Sequence, residues 1–154
     1  MAAKQVIIKG VDGTGQRKRA IANEAITPGH LIEFITGSAA TSGRVKKHAT
    51  ARGNQARMFA DVQDYIGQGL STDYASGDEV NYVVAKSGDE VNALLKASEN
   101  AGIGSLLESA GDGTLQVHTP SSAGGSTLYK NSIVGQALDS SNVGTVARIR
   151  VEVA

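Results

Sequence analysis

Residues 146–153 alternate without a slip. Ala147, Ile149, Val151 and Val153 point one way and Val146, Arg148, Arg150 and Glu152 the other, which is the period-two pattern of a strand with one face in a core. A lone strand buries nothing, so a chain carrying this stretch has to build a sheet for it to join. A partner run precedes it, Ile133, Val134, Ala137 and Leu138, joined through the turn-rich Asp139-Ser140-Ser141-Asn142-Val143-Gly144. The two read as an antiparallel hairpin with a longer connection.

The composition agrees with a sheet protein. Nineteen glycines, two prolines, four tyrosines, two phenylalanines and no tryptophan leave the core to Val, Ile, Leu and Ala, and all-β is the natural reading: a small antiparallel β-barrel or sandwich. At 154 residues the chain fits one domain, able to bury roughly 70% of its unfolded surface. No cysteine is present, which removes disulfides and thiolate metal sites. No run approaches the roughly 20 apolar residues of a membrane span, and the opening MAAKQVIIKG lacks the apolar core of a signal peptide. The expectation is a soluble, unprocessed chain with no membrane partner.

Net charge is zero, yet residues 1–57 hold ten Lys and Arg against three Asp and Glu, while 58–154 hold five against twelve. A division of +7 and −7 suggests that one part faces an acidic partner, such as the acidic half of a neighbouring copy. A solvated lysine-rich loop is the alternative reading.

Taken in order, residues 4–9 (KQVIIK) suit a short strand, and Gly10-Val11-Asp12-Gly13-Thr14-Gly15-Gln16-Arg17 follows. Gly10 and Gly15 match the first six positions of the phosphate loop GxxxxGK[ST], but Gln16 replaces its lysine and Arg17 its magnesium-holding hydroxyl. A phosphate- or nucleotide-binding protein built on 10–15 is therefore the alternative function, and a glycine turn in a basic arm is the plainer reading. Residues 1–20 are expected as that extended arm, with 21–154 as the body. Leu31 to Ile35 reads as a strand. The polar stretch 36–53, with Arg44, Lys46, Lys47, His48 and Arg52, reads as a surface loop: it has no aromatic residue to stack a base, so direct nucleic-acid binding is not expected. Residues 54–67 admit both a helix, with Phe59, Val62 and Ile66 on one face, and a strand, with Met58, Ala60 and Val62.

Turn signals then become dense. SGDEV occurs at 76–80 and again at 87–91, each copy launching an apolar run, the spacing of a small sandwich or barrel. Gly111-Asp112-Gly113 joins Leu106-Leu107-Glu108 to a strand over 114–118 as a hairpin, and 120–126 (PSSAGGS) is a loop.

No site for chemistry emerges. His30, His48 and His118 stand in no metal-ligand spacing, and Asp78-Glu79 and Asp89-Glu90 precede strands. Turn geometry explains each Asp and solvent exposure each Glu. There is no GxSxG and no thiol nucleophile. We expect no enzyme, no cofactor and no metal.

From Ala56 to Val153 the series of features resembles the head decoration, or capsid cement, proteins of tailed bacteriophages. The pieces are MFADVQDYIGQGLSTDYASGDEVNYVVAKSGDEVNALL (58–95), GIGSLLESAGDGTLQV (102–117) and IVGQALDSSNVGTVARIRVEV (133–153), with ITPGHLIEF (26–34) fitting the opening Pro-Gly turn and strand. The resemblance implies a virion structural protein made in the host cytoplasm. It would bind the outer surface of the assembled capsid through the major capsid protein and bridge capsomers as a homo-oligomer, a trimer before a dimer. It also favours the strand over 57–62. The arm and the 36–53 loop look like additions to the minimal pattern, so their basic residues, Lys4, Lys9, Arg17, Lys18, Arg19, Arg44, Lys46, Lys47 and Arg52, are the candidate contacts to capsid or neighbouring copy. A tail or fibre adhesin would carry the same composition.

Overall fold

In a computed structural model of the chain, which describes residues 6–9, 16–37, 43–63, 67–120 and 132–154, every regular element is a strand. The strands are β1 (Ile7–Lys9), β2 (Gln16–Ala22), β3 (Leu31–Phe34), β4 (Arg44–Lys47), β5 (Met58–Ala60), β6 (Glu79–Val84), β7 (Glu90–Leu95), β8 (Asn100–Ala101), β9 (Leu106–Ser109), β10 (Leu115–Val117), β11 (Ile133–Ala137), β12 (Ser141–Asn142) and β13 (Ala147–Val153). They close into two five-stranded barrels. The first runs β2-β4-β3-β5-β6 and returns to β2; the second runs β7-β10-β9-β11-β13 and returns to β7, with β1 added beside β7. Strands β8 and β12 form a separate two-stranded ribbon.

The hairpin at 133–153 is built as its alternation predicts. β11 pairs antiparallel with β13 through Gly135↔Val153 and Ala137↔Val151, and β13 continues onto β7 from Ala147↔Leu95 to Glu152↔Glu90. Ile149, Val151 and Val153 are buried, while Arg150 and Glu152 are exposed. Arg148 departs from the pattern. It is half-buried, donates from Nη2 to the Leu70 carbonyl, and is held below the usual arginine range by loss of solvent. Gly135 marks where β11 and β13 approach too closely for a side chain, since a Cβ there would lie 2.2 Å from the Glu152 carbonyl oxygen.

The first barrel uses both faces of its strands. Ala22, Ile32, Val45, Met58, Ala60, Val80 and Tyr82 fill its interior with Ile26 and Tyr74. Between them, Leu31, Phe59 and Val83 lie directly opposite one another across β3, β5 and β6. This row points outward and joins Val91, Leu95, Leu107, Leu115, Ile149 and Val151 in the core of the second barrel. One barrel's outer wall is thus part of the other's core. Backbone bonds reinforce the contact: Leu94 N–H donates to the Gly29 carbonyl (3.2 Å) and Leu31 N–H to the Gly113 carbonyl (2.8 Å). Gly29 has φ 97°, and a Cβ on it would lie 3.0 Å from the Asn92 carbonyl oxygen, so the Pro28-Gly29 turn is glycine-dependent.

The architecture is all-β, as expected, and two local readings change. The body is built of two barrels, the apolar residues on both faces of β3, β5 and β6 serving two walls at once. The basic arm stops short of residue 20, since β2 closes the first barrel against β6 from Gln16↔Val84 to Ile21↔Glu79. The loop expected over 36–53 contains β4, which pairs parallel with β2 (Ile21↔Arg44) and antiparallel with β3. Of the ambiguous 54–67, residues 58–60 are strand β5.

Candidate functional site

The basic residues fall on different parts of the fold. Lys4 and the glycine loop 10–15 lie outside the described residues, and Lys9 is on β1 opposite Glu90. In β2 the interior is taken by Ala20 and Ala22, so Arg17, Arg19 and Ile21 face outward. Arg17 Nε lies 3.1 Å from Oδ2 of the buried Asp61, and Arg19 Nη1 lies 3.0 Å from Glu79 Oε1. In β4 only Val45 enters the core, leaving Arg44 and Lys46 outward, with Lys46 Nζ 3.2 Å from Glu33 Oε1. Lys18, on the inward-facing side of β2, sits opposite Tyr82 and is exposed. Strand pairing therefore brings Arg19, Ile21, Arg44 and Lys46 onto one outer wall, with Ile21 directly beside Arg44 and itself exposed.

Arg52 has a different place. It reaches from the first barrel to the second, where its Nε lies 2.9 Å from Oε1 of Glu108, a residue with 0% exposure in β9. Gln116 Nε2 donates to the same oxygen (3.0 Å), and His118 Nδ1 lies 2.7 Å from Oε2. Four residues earlier, the buried His48 sets Nδ1 2.7 Å from Ser109 Oγ and Nε2 3.1 Å from the Asn54 carbonyl oxygen. The Arg52 N–H donates to the Ser109 carbonyl. This segment is a strap that fixes one barrel on the other. Glu33 Oε2, 3.7 Å from His48 Nε2, completes a Ser-His-carboxylate set in composition, but Ser109 is fully buried and its hydroxyl has no face on which a substrate could sit.

His30 lies at the same junction. Its Nδ1 accepts from Thr27 N–H (3.0 Å), and burial, with Lys47 adding to it, lowers its pKa to about 4. It is neutral in the folded protein. The two SGDEV turns hold their aspartates as expected, Ala75 N–H donating to Asp78 Oδ2 (2.7 Å) and Lys86 N–H to Asp89 Oδ2 (2.8 Å). Glu79 is exposed and engaged by Arg19 at 3.0 Å, and Glu90 is half-buried and engaged by Arg150 at 3.2 Å. Among the described residues no group of three or more His, Asp and Glu is placed to hold a metal ion.

The fold also redistributes the charge. Residues 16–84, which span the first barrel, carry eight Lys and Arg against seven Asp and Glu, and residues 85–154 carry five against seven. The sequence halves of +7 and −7 become +1 and −2, because residues 58–84, with five carboxylates and no Lys or Arg, belong to the first barrel and residues 1–15 fall outside both spans; Asp61 and Glu79 are two of these carboxylates and lie against Arg17 and Arg19. The outer wall of β2 and β4 thus carries Arg19, Arg44 and Lys46 around the exposed Ile21, with Arg19 paired to Glu79 and Lys46 to Glu33.

No family model matches the chain, and no curated protein matches it. Among solved structures its fold is similar to that of the N base of head fiber gp8.5 in bacteriophage phi29, with a TM-score of 0.53. The likeness covers 90% of this chain and 94% of that chain at 14% sequence identity, and is a likeness of fold.

Proposed function

We propose that this chain is a bacteriophage virion structural protein of the head decoration class, which binds the outer surface of the assembled capsid and stabilises it. The observation that carries the reading is the fold likeness to the phi29 head fiber base over nine-tenths of both chains. The sequence series over 58–153 that resembles capsid cement proteins supports it independently. Such a protein stabilises a shell by mass action, through preferring the mature lattice to its precursor, and an oligomer bridging capsomers multiplies modest affinities. The partners are the major capsid protein and further copies of the chain, a trimer before a dimer.

The contact we assign to the capsid is the outer wall of the first barrel, Arg19, Ile21, Arg44 and Lys46. Purified protein is expected to co-sediment with undecorated mature capsids at micromolar concentration, and the double reversal Arg44→Glu/Lys46→Glu to weaken this at least tenfold, most at low salt. No co-sedimentation of the wild type at any salt concentration would sink the proposal. Truncation through residue 20 is not a clean test, because it removes most of β2. Electron microscopy of intact particles separates a head location from a tail or fibre adhesin.

A further inference from the structure

The strap that ties the first barrel to the second is held by few side chains. Of residues 48–57 only His48 is buried, and the aliphatic side chains among them are Ala49, Ala51 and Ala56. Releasing this segment bares little apolar surface, so it can open while both cores stay packed. Its backbone is also strained: Arg52 has φ 60° and Arg57 φ 52°, left-handed conformations that crowd Cβ against the following carbonyl oxygen. The side-chain contacts with the second barrel converge on two consecutive residues of β9, Arg52 on Glu108 and His48 on Ser109. Two backbone bonds accompany them, Arg52 N–H to the Ser109 carbonyl (2.9 Å) and Gly113 N–H to the His48 carbonyl (3.2 Å).

The partners of His48 fix which form of the ring the closed strap holds. The Asn54 carbonyl oxygen, 3.1 Å from Nε2, can only accept, so Nε2 carries a proton. Ser109 Oγ accepts from Gly111 N–H (3.2 Å) and lies 2.7 Å from Nδ1, so its own hydroxyl proton goes to a bare Nδ1. The closed strap therefore holds a neutral imidazole. A second proton, on Nδ1, sets donor against donor at a serine with 0% exposure. Beside the other nitrogen, Glu33 Oε2 lies 3.7 Å from Nε2, where an imidazolium gains an ion-pair partner. Ser109 of the second barrel suits the neutral ring, and Glu33 of the first suits the charged one. The remaining charged groups on the elements that meet here are engaged: Lys46 with Glu33 Oε1, Arg52 with Glu108, Glu24 with Lys47 N–H, and Asp112 with Thr114. Lys47 and His30 both pack against Gly113. His118 contacts Glu108 at 2.7 Å from within the second barrel, and a proton on its ring strengthens that pair without touching the strap.

We propose that residues 48–54 form a pH-operated latch between the barrels, closed on Ser109 while His48 is neutral and released toward Glu33 when the ring takes a second proton. Histidine is the side chain whose charge changes between about pH 5 and 8, so release belongs to mild acid. The shared core of Leu31, Phe59 and Val83 has no titratable group and keeps the barrels together. What acid changes is how firmly the seam is fastened, and the loosened strap uncovers Glu108 and Ser109. The latch does not depend on the virion function proposed above.

Hydrogen exchange and NMR of the purified full chain test it. Between about pH 7.5 and about pH 5, protection of the Arg52 and Gly53 amides, corrected for the pH dependence of intrinsic exchange, is expected to fall about tenfold or more. The amides of Asn92 and Val153, bonded to the Val6 and Asp89 carbonyls, are expected to keep theirs. The midpoint of the fall should coincide with the titration of the His48 ring, followed by its Cε1–H resonance. His48→Gln, which cannot titrate, is expected to show no fall. If that variant does not fold, Glu33→Gln takes its place and is expected to move the midpoint down by about half a pH unit or more, because the imidazolium loses its partner. Unchanged protection at Arg52 and Gly53 across a full titration of the ring overturns the proposal, as does a ring that stays neutral down to about pH 5. A fall shared by Asn92 and Val153, a His48→Gln variant that still loses protection, or an unmoved midpoint in Glu33→Gln overturns it equally.

Discussion

Replacing Arg52 by Ala tests the strap between the barrels. Glu108 is wholly buried, and Arg52 Nε supplies the 2.9 Å contact to its Oε1. Removing one partner of a buried ion pair costs about 3–5 kcal/mol, because a charge is left in a medium that solvates it poorly. Two features reduce the cost here. Gln116 and His118 still contact the carboxylate, and the Arg52 side chain is 38% exposed, so water can follow where it leaves. We expect a loss of about 2–3 kcal/mol, which at roughly 2–4 °C per kcal/mol for a chain of this size is a fall in Tm of about 4–12 °C. Urea titration followed by circular dichroism measures it, provided the transition is two-state. The double variant Arg52→Ala/Glu108→Gln makes the test specific: if an uncompensated charge is the cause, neutralising it recovers at least about 1 kcal/mol. A loss under about 1 kcal/mol for Arg52→Ala, or no recovery in the double variant, would refute the reasoning.

Two further outcomes follow from particular atoms. His30, lowered in the fold to about 4 from 6.5, binds its proton more readily in the unfolded chain, so stability is expected to be full above about pH 6.5 and to fall by on the order of 2–3 kcal/mol as pH drops toward 4. His30→Gln should flatten that part of the urea-derived profile, and an unchanged slope would show that other groups carry it. Gly135→Ala would place a Cβ 2.2 Å from a main-chain carbonyl oxygen, which no side-chain rotation relieves; a loss of about 3 kcal/mol or failure to fold is expected in thermal melts, and a melting temperature within about 2 °C of the wild type would contradict the close packing of β11 on β13.

The parts of the fold readable in advance are those whose signal is local. Residues 146–153 declare their inward face by alternation, and three Gly-Asp turns declare themselves by chemistry: Asp78 and Asp89 each accept from the N–H three residues earlier, and Asp112 accepts from Thr114 N–H two residues later. β2 and β4 were hidden because their inward residues are small or few. Ala20 and Ala22 face in from β2 and Val45 from β4, while the lysines and arginines around them imitate a solvated loop. That Leu31, Phe59 and Val83 face out of one barrel and into another is decided by pairing between distant segments, which no window of sequence contains. The candidate surface was legible only as a list of cations. Pairing decides which of them stand together, and it gives Arg52 to Glu108, where a carboxylate between Leu107 and Ser109 in a strand pattern was the available hint.

One edge of β7 has a consequence for how the molecule comes together. Asn92, Leu94 and Lys96 donate their N–H groups along it to the carbonyls of Val6, Gly29 and Leu115, three segments far apart in the sequence, while the opposite edge is occupied by β13. No contiguous half of the chain can satisfy that strand. Loop closure between remote segments must come before most of the bonds that repay it, which marks a slow folder whose two barrels form as one cooperative event. A cut between β6 and β7 would bare Leu31, Phe59 and Val83 on the first barrel and take the same three side chains from the core of the second: two barrels by geometry, joined by one core.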